Sequence, residues 1–121
     1  MLKPDGFVVL TCPDLQSVAE AIARGRLMDV IFHGDYGPIT PFDMLYGERA
    51  ALAKGKMFMA HHGGFTAETV MAVLTEAGFA TTLAARTDAM MLWAIATKSR
   101  VDEEELDWFR RNYLPNGERR P

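Results

Sequence analysis

The sequence predicts an α/β fold, and three observations carry that expectation. Residues 7–11 are β-prone and almost wholly apolar, the pattern of a strand covered on both faces rather than one with a wet side. Leu15, Val18, Ala19, Ile22 and Ala23 then fall at helical spacing. Residues 80–86 and 90–97 are two further β-prone runs separated only by Thr87-Asp88-Ala89, which reads as a hairpin. A strand of the first kind needs layers above and below it, and the helical segments supply them.

Taken in order, Lys3-Pro4-Asp5-Gly6 is a turn opening the first strand, and Pro13-Asp14 stops it. Asp14 is placed to cap the following helix, which Gly25 can close. Residues 27–32 are apolar apart from Asp29 and are expected to form a second short helix, ending in a loop at His33-Gly34-Asp35-Tyr36-Gly37-Pro38. Thr40-Pro41 pairs an N-cap with proline at the first helical position, where the missing N–H costs nothing. That helix is expected to run to about Lys54 and stop at Gly55. Residues 56–66 show no regular period and read as a compact loop with Met57, Phe58 and Met59 as apolar anchors. Thr66 caps a helix that turns Val70, Met71, Leu74 and Ala77 inward and ends at Gly78. Asp102 and Glu105 make an Asp variant of the capping box for a helix sharing Leu106, Phe109 and Tyr113 on one face, terminated by Pro115. About four to five helices and three strands result, in one domain over residues 1–114 with a frayed tail over 115–121.

The 121 residues are 49% hydrophobic and 24% charged, enough to build a core and far from the composition of a disordered chain. The net charge of −3 provides no positive field for nucleic acid or an anionic membrane. Arg110-Arg111 and Arg119-Arg120 are local exceptions within a solvated terminus. Cys12 is the only cysteine, so no internal disulfide forms and a reducing cytoplasm is the expected compartment. No signal-peptide core is present, and no apolar run reaches the roughly 18 residues needed to span a bilayer.

Three stretches carry a family resemblance: Leu2-Lys3-Pro4-Asp5-Gly6 before the first strand, Leu74-Thr75-Glu76-Ala77-Gly78-Phe79 before the second, and Leu92-Trp93-Ala94-Ile95-Ala96-Thr97-Lys98 as the closing strand. In that order, over residues 2–98, the chain resembles the carboxyl-terminal half of a class I S-adenosylmethionine-dependent methyltransferase. The turn departs slightly from the family's commoner Lys-Pro-Gly-Gly, with Asp-Gly serving the same tight-turn chemistry. The resemblance implies a partial Rossmann-like fold whose three-stranded mixed sheet has the family's strand order 5-7-6. It implies S-adenosylmethionine as cofactor of the complete fold, held by a glycine-rich turn after an earlier strand. No Gly-x-Gly-x-Gly turn follows a strand here, so no cofactor-binding residue is carried over. The chain alone is expected to bind no cofactor and to be inactive, the cofactor half lying upstream of Met1 or in a separate chain.

The substrate side is what the resemblance can supply. His61 and His62 are the candidate catalytic residues, because neutral imidazole can take the proton that methyl transfer leaves on an acceptor. The plainer reading has one ring capping loop backbone and the other facing water. Asp43, Tyr46 and Arg49, spaced three apart, are candidate substrate-binding residues on one helical face; the plainer reading is a helix start with Tyr and Arg turned outward. The methionines suit an adaptable pocket but equally fill a core. No ligand pair at i, i+4 spacing supports a metal site. The acceptor is an unidentified small molecule. Two further readings stay open: a non-enzymatic binding or interaction module, and a subunit completed by another chain. The order of strands leaves residues Phe7 to Thr11 as an apolar edge, and the expected partner is a second copy of the chain pairing there.

Overall fold

The computed structural model describes residues 3, 5–55 and 63–115. Its main sheet joins β1 (Phe7–Pro13), β5 (Met91–Thr97) and β4 (Thr81–Arg86) in the order β1-β5-β4. β5 pairs antiparallel with both neighbours, Val9 opposite Ile95 on one side and Leu83 opposite Ile95 on the other. The expected strand order is therefore present. The closing strand is antiparallel between the other two, as that order expects, but the sheet is not mixed, because every hydrogen-bonded strand pair among the described residues is antiparallel and β1 and β4 run parallel only across the intervening strand.

Side chains alternate across these strands as the pleat requires. On one face Leu10, Cys12, Ala84, Leu92, Ala94 and Ala96 pack under Ala67, Val70 and Leu74 of α4 (Ala67–Glu76). On the other, Phe7, Val9, Leu83, Ala85, Trp93 and Ile95 meet Phe109 and Leu114, from and just after α5 (Glu103–Tyr113). The alanines of β4 and β5 let α4 approach closely, and the larger residues opposite fill the wider gap beneath α5. Phe7 closes that gap edge-on, its ring centroid 5.0 Å from that of Phe109. The apolar run of β1 is thus explained: both of its faces are covered.

The segment between β1 and α4 forms a second body of contacts. α1 (Leu15–Ala23) starts at Asp14 and is closed by Gly25 at φ +76°. Its Val18 packs with Ile39 and Met44, and Met90 and Met91 from the hairpin join them.

Two expectations for this segment are corrected. Residues 27–32 do not form a helix. The chain turns, then makes a two-stranded ladder of β2 (Phe32–Gly34) and β3 (Gly37–Ile39), with Gly34 opposite Gly37. Val30 and Ile31 favour extended backbone, and the Ile31 N–H donates to the Ile39 carbonyl at 2.7 Å, continuing the local hairpin. The helix expected from Pro41 to Lys54 is two helices, α2 (Pro41–Tyr46) and α3 (Arg49–Ala53). They part at Gly47, whose φ of +108° is open only to glycine. β1 also runs two residues beyond Thr11, since Cys12 and Pro13 still pair with Leu92 and Met91.

The caps behave as expected with one exception. Thr40 and Thr66 each make a complete capping box. Asp102 accepts only the Glu105 N–H at 2.9 Å, so the reciprocal half of its expected box is not formed. No helix among the described residues is long and apolar enough to cross a membrane.

Candidate functional site

Two polar centres lie near the carboxyl end of β1, and their chemistry differs. The first is built on Asp14, which is completely buried. One carboxylate oxygen caps α1 by accepting the Gln16 N–H at 3.2 Å. The other accepts the Ser17 hydroxyl at 2.6 Å and Arg86 Nε at 2.7 Å. Arg86 Nη2 donates in turn to Ser17 Oγ at 3.0 Å and reaches Glu20 at 3.5 Å. The hydrogen bond to Asp14, joined by the Asp14 and Glu20 charges, raises the Arg86 pKa against the opposing effect of burial. This network holds β4 to the start of α1. Met90 assists: its left-handed backbone, φ +59°, aims its carbonyl at the Asp14 N–H, 2.8 Å away.

The second centre borders a cavity of about 280 Å³ between the end of β1, the β2–β3 ladder and α2. Its wall is mostly apolar, with Phe32, Ile39, Met44 and Met91, and it carries two carboxylates, Asp43 and Glu48. Asp43, 3% exposed, is fully engaged. One oxygen accepts the Thr40 hydroxyl at 2.7 Å and the Thr40 N–H at 2.9 Å, completing the α2 capping box. The other accepts both the backbone N–H and Nε of Arg49 at 3.0 Å. One side chain thereby caps two successive helices. Burial opposes the Asp43 charge, but the hydrogen bonds from Arg49 and Thr40 outweigh it and hold the carboxyl at about 2.

Glu48 differs. Its Oε1 is buried and has no hydrogen-bond partner among the described residues. A side chain placed on Gly34 would come within 3.5 Å of that oxygen and 3.3 Å of Ile39, so Gly34 leaves the space that the oxygen faces. Cys12, also on the cavity wall, has its thiol pKa raised by burial and by the Asp14 charge. It stays protonated and is a poor nucleophile.

The predicted site residues separate. Asp43 and Arg49 meet directly, whereas Tyr46 is 55% exposed and packs against Phe42 with the rings tilted and their centroids 5.1 Å apart. His61 and His62 lie outside the described residues. Among the described residues no group of His, Cys, Asp and Glu could hold a metal. Glu48, Asp14 and Arg86 are the polar groups that sequence reasoning did not single out for chemistry. The one signal for Glu48 was the glycine before it, which ends α2 and turns the chain inward.

The glycines do not fit an S-adenosylmethionine cradle. Gly34 and Gly37 belong to the β2–β3 hairpin. The position a Cβ would take at Gly64 is already 2.8 Å from a Leu15 methyl, so that face is filled by this chain's own packing. Compared with known proteins, the chain matches no family model, no curated protein and no solved structure.

Proposed function

We propose that this chain supplies the acceptor side of an S-adenosylmethionine-dependent methyltransferase fold, with the methyl donor held by residues that this sequence does not contain. The strand order β1-β5-β4, with β5 antiparallel between the other two, carries the reading. It is the 5-7-6 order of the family's carboxyl half, and it occurs with helices on both faces and a cavity beyond the end of β1. Ligands of open α/β sheets collect at the carboxyl ends of strands. On this reading the cavity bordered by Asp43 and Glu48 receives the acceptor, His61 and His62 take up the released proton, and the free side of β1 receives the next strand of the cofactor half. The isolated chain is inactive.

Calorimetric titration of S-adenosylmethionine tests the proposal on two proteins: the 121-residue chain, and the product of any open frame running in phase into the Met1 codon or of a co-expressed neighbouring gene. The isolated chain should give no binding heat and the completed protein should bind. Micromolar binding by the isolated chain overturns the division of labour, and binding by neither overturns the methyltransferase reading.

The second reading is a homodimeric interaction module, and the free edge of β1 favours it. Gly6 accepts from Lys98, and Asp14 donates to Met90, so residues 8, 10 and 12 turn their amides toward β5. Residues 7, 9 and 11 turn theirs toward the open side. Among the described residues that side is bridged only at Asp14, by a parallel bridge to Phe65.

A further inference from the structure

Glu48 Oε1 is the only buried side-chain nitrogen or oxygen without a hydrogen-bond partner among the described residues. Such an acceptor forfeits its hydration with nothing in return from the described residues, a cost of about 1–3 kcal/mol, and asks for a donor beyond them. From this we propose that the cavity beyond β1 binds a small organic amine in its protonated form, its N–H donating to Glu48 Oε1 and its apolar body lying against Met44, Met91 and Ile39.

Three features select that class. The cavity, about 280 Å³, is near the lower end of small-molecule sites, and like them it combines an apolar wall with few polar groups. Of its two carboxylates, Asp43 is neutralised by Arg49 at 3.0 Å and its two oxygens are both taken. No ion pair among the described residues compensates the Glu48 charge, which favours a cation over a neutral donor and disfavours an anion. Access is provided along Phe32, an exposed residue that also lines the cavity. Gly34 is the residue whose lack of a side chain keeps the approach to Oε1 clear.

The proposal deepens the acceptor-side reading by naming the acceptor's chemistry, but it stands on the cavity alone. Loss of S-adenosylmethionine binding in every form of the protein leaves it intact. Its test uses three probes of one shape, namely benzylamine, benzoate and toluene, titrated into the isotope-labelled chain at neutral pH and followed through the amide resonances of Gly34, Glu48 and Cys12. Benzylamine should shift these three saturably, with benzoate and toluene at least tenfold weaker. Glu48→Gln keeps the shape and removes the charge, and should weaken benzylamine roughly tenfold, the worth of one charge-assisted hydrogen bond. Gly34→Ala should weaken it as well by narrowing the approach. Equal binding of benzylamine and benzoate by the unaltered chain overturns the proposal whatever the variants do. So does the absence of any saturable shift, which would mean that Glu48 is hydrated.

Discussion

Arg86 Nε donates to Asp14 Oδ2 at 2.7 Å, joining the last residue of β4 to the cap of α1 across 72 positions of sequence. Asp14 is inaccessible to water, and 17% of the Arg86 side chain remains exposed. A buried pair of this kind is costly to break from one side, because the remaining charge keeps its desolvation and loses its partner. Asp14→Ala and Arg86→Met should each lower unfolding stability by about 3–5 kcal/mol, Asp14→Ala also losing a helix cap. The double variant should lose clearly less than the sum. Urea denaturation of the four proteins measures the coupling, and additive losses would show that the two side chains act separately.

The Asp43 carboxyl, at about 2 in the fold against an ordinary 3.8, contributes pH-dependent stability. A depressed folded-state value means that the contribution is whole above about pH 4 and disappears as pH falls through about 2; its size is about 2 kcal/mol. Asp43→Asn should therefore be less stable than the unaltered chain at pH 6, and the difference should shrink steadily toward pH 2. Urea midpoints across that range test the sign. A constant difference would assign the effect to packing instead of charge.

Glu48 should behave in the opposite sense. Glu48→Met removes a buried acceptor that has no partner and fills apolar space beside Met44 and Ile39, so it should raise stability by about 1 kcal/mol. A fall in the urea midpoint would mean that the oxygen is satisfied by solvent.

The free edge of β1 leads to an oligomeric expectation. A second copy pairing there gives a particle near twice the 13.5 kDa chain mass in light scattering at low micromolar concentration. Thr11 is exposed and its amide points away from β5, where proline is tolerated within an edge strand. Thr11→Pro should return the mass to that of one chain while leaving the sheet intact by circular dichroism. A monomeric unaltered chain whose Val9 amide is protected from exchange would mean that the edge is already covered.

For a form of the protein that transfers methyl groups, His61→Ala or His62→Ala should lower turnover more than tenfold without loss of stability, the lower end of what a positioned general base contributes being about a hundredfold. Unchanged turnover in both would reduce the pair to loop residues.

Sequence alone determined the elements whose signals are local or periodic. The apolar run from Phe7 to Thr11, the caps at Asp14, Thr40 and Thr66, and the two runs flanking Thr87-Asp88-Ala89 each announce themselves, because capping, β-propensity and helical spacing act over a few residues. The strand order also followed, by way of the resemblance. Tertiary structure decided the rest. Residues 41–53 part into two helices at Gly47, where Asp43 also comes to cap the second by accepting from Arg49, and Asp14 became more than a cap only when folding brought Arg86 to it. Glu48 shows the same limit, since a carboxylate in sequence carries no mark of burial. Its Oε1 is buried with no partner among the described residues, beside the space that Gly34 leaves, and desolvation is a property of what surrounds a group after the chain has folded.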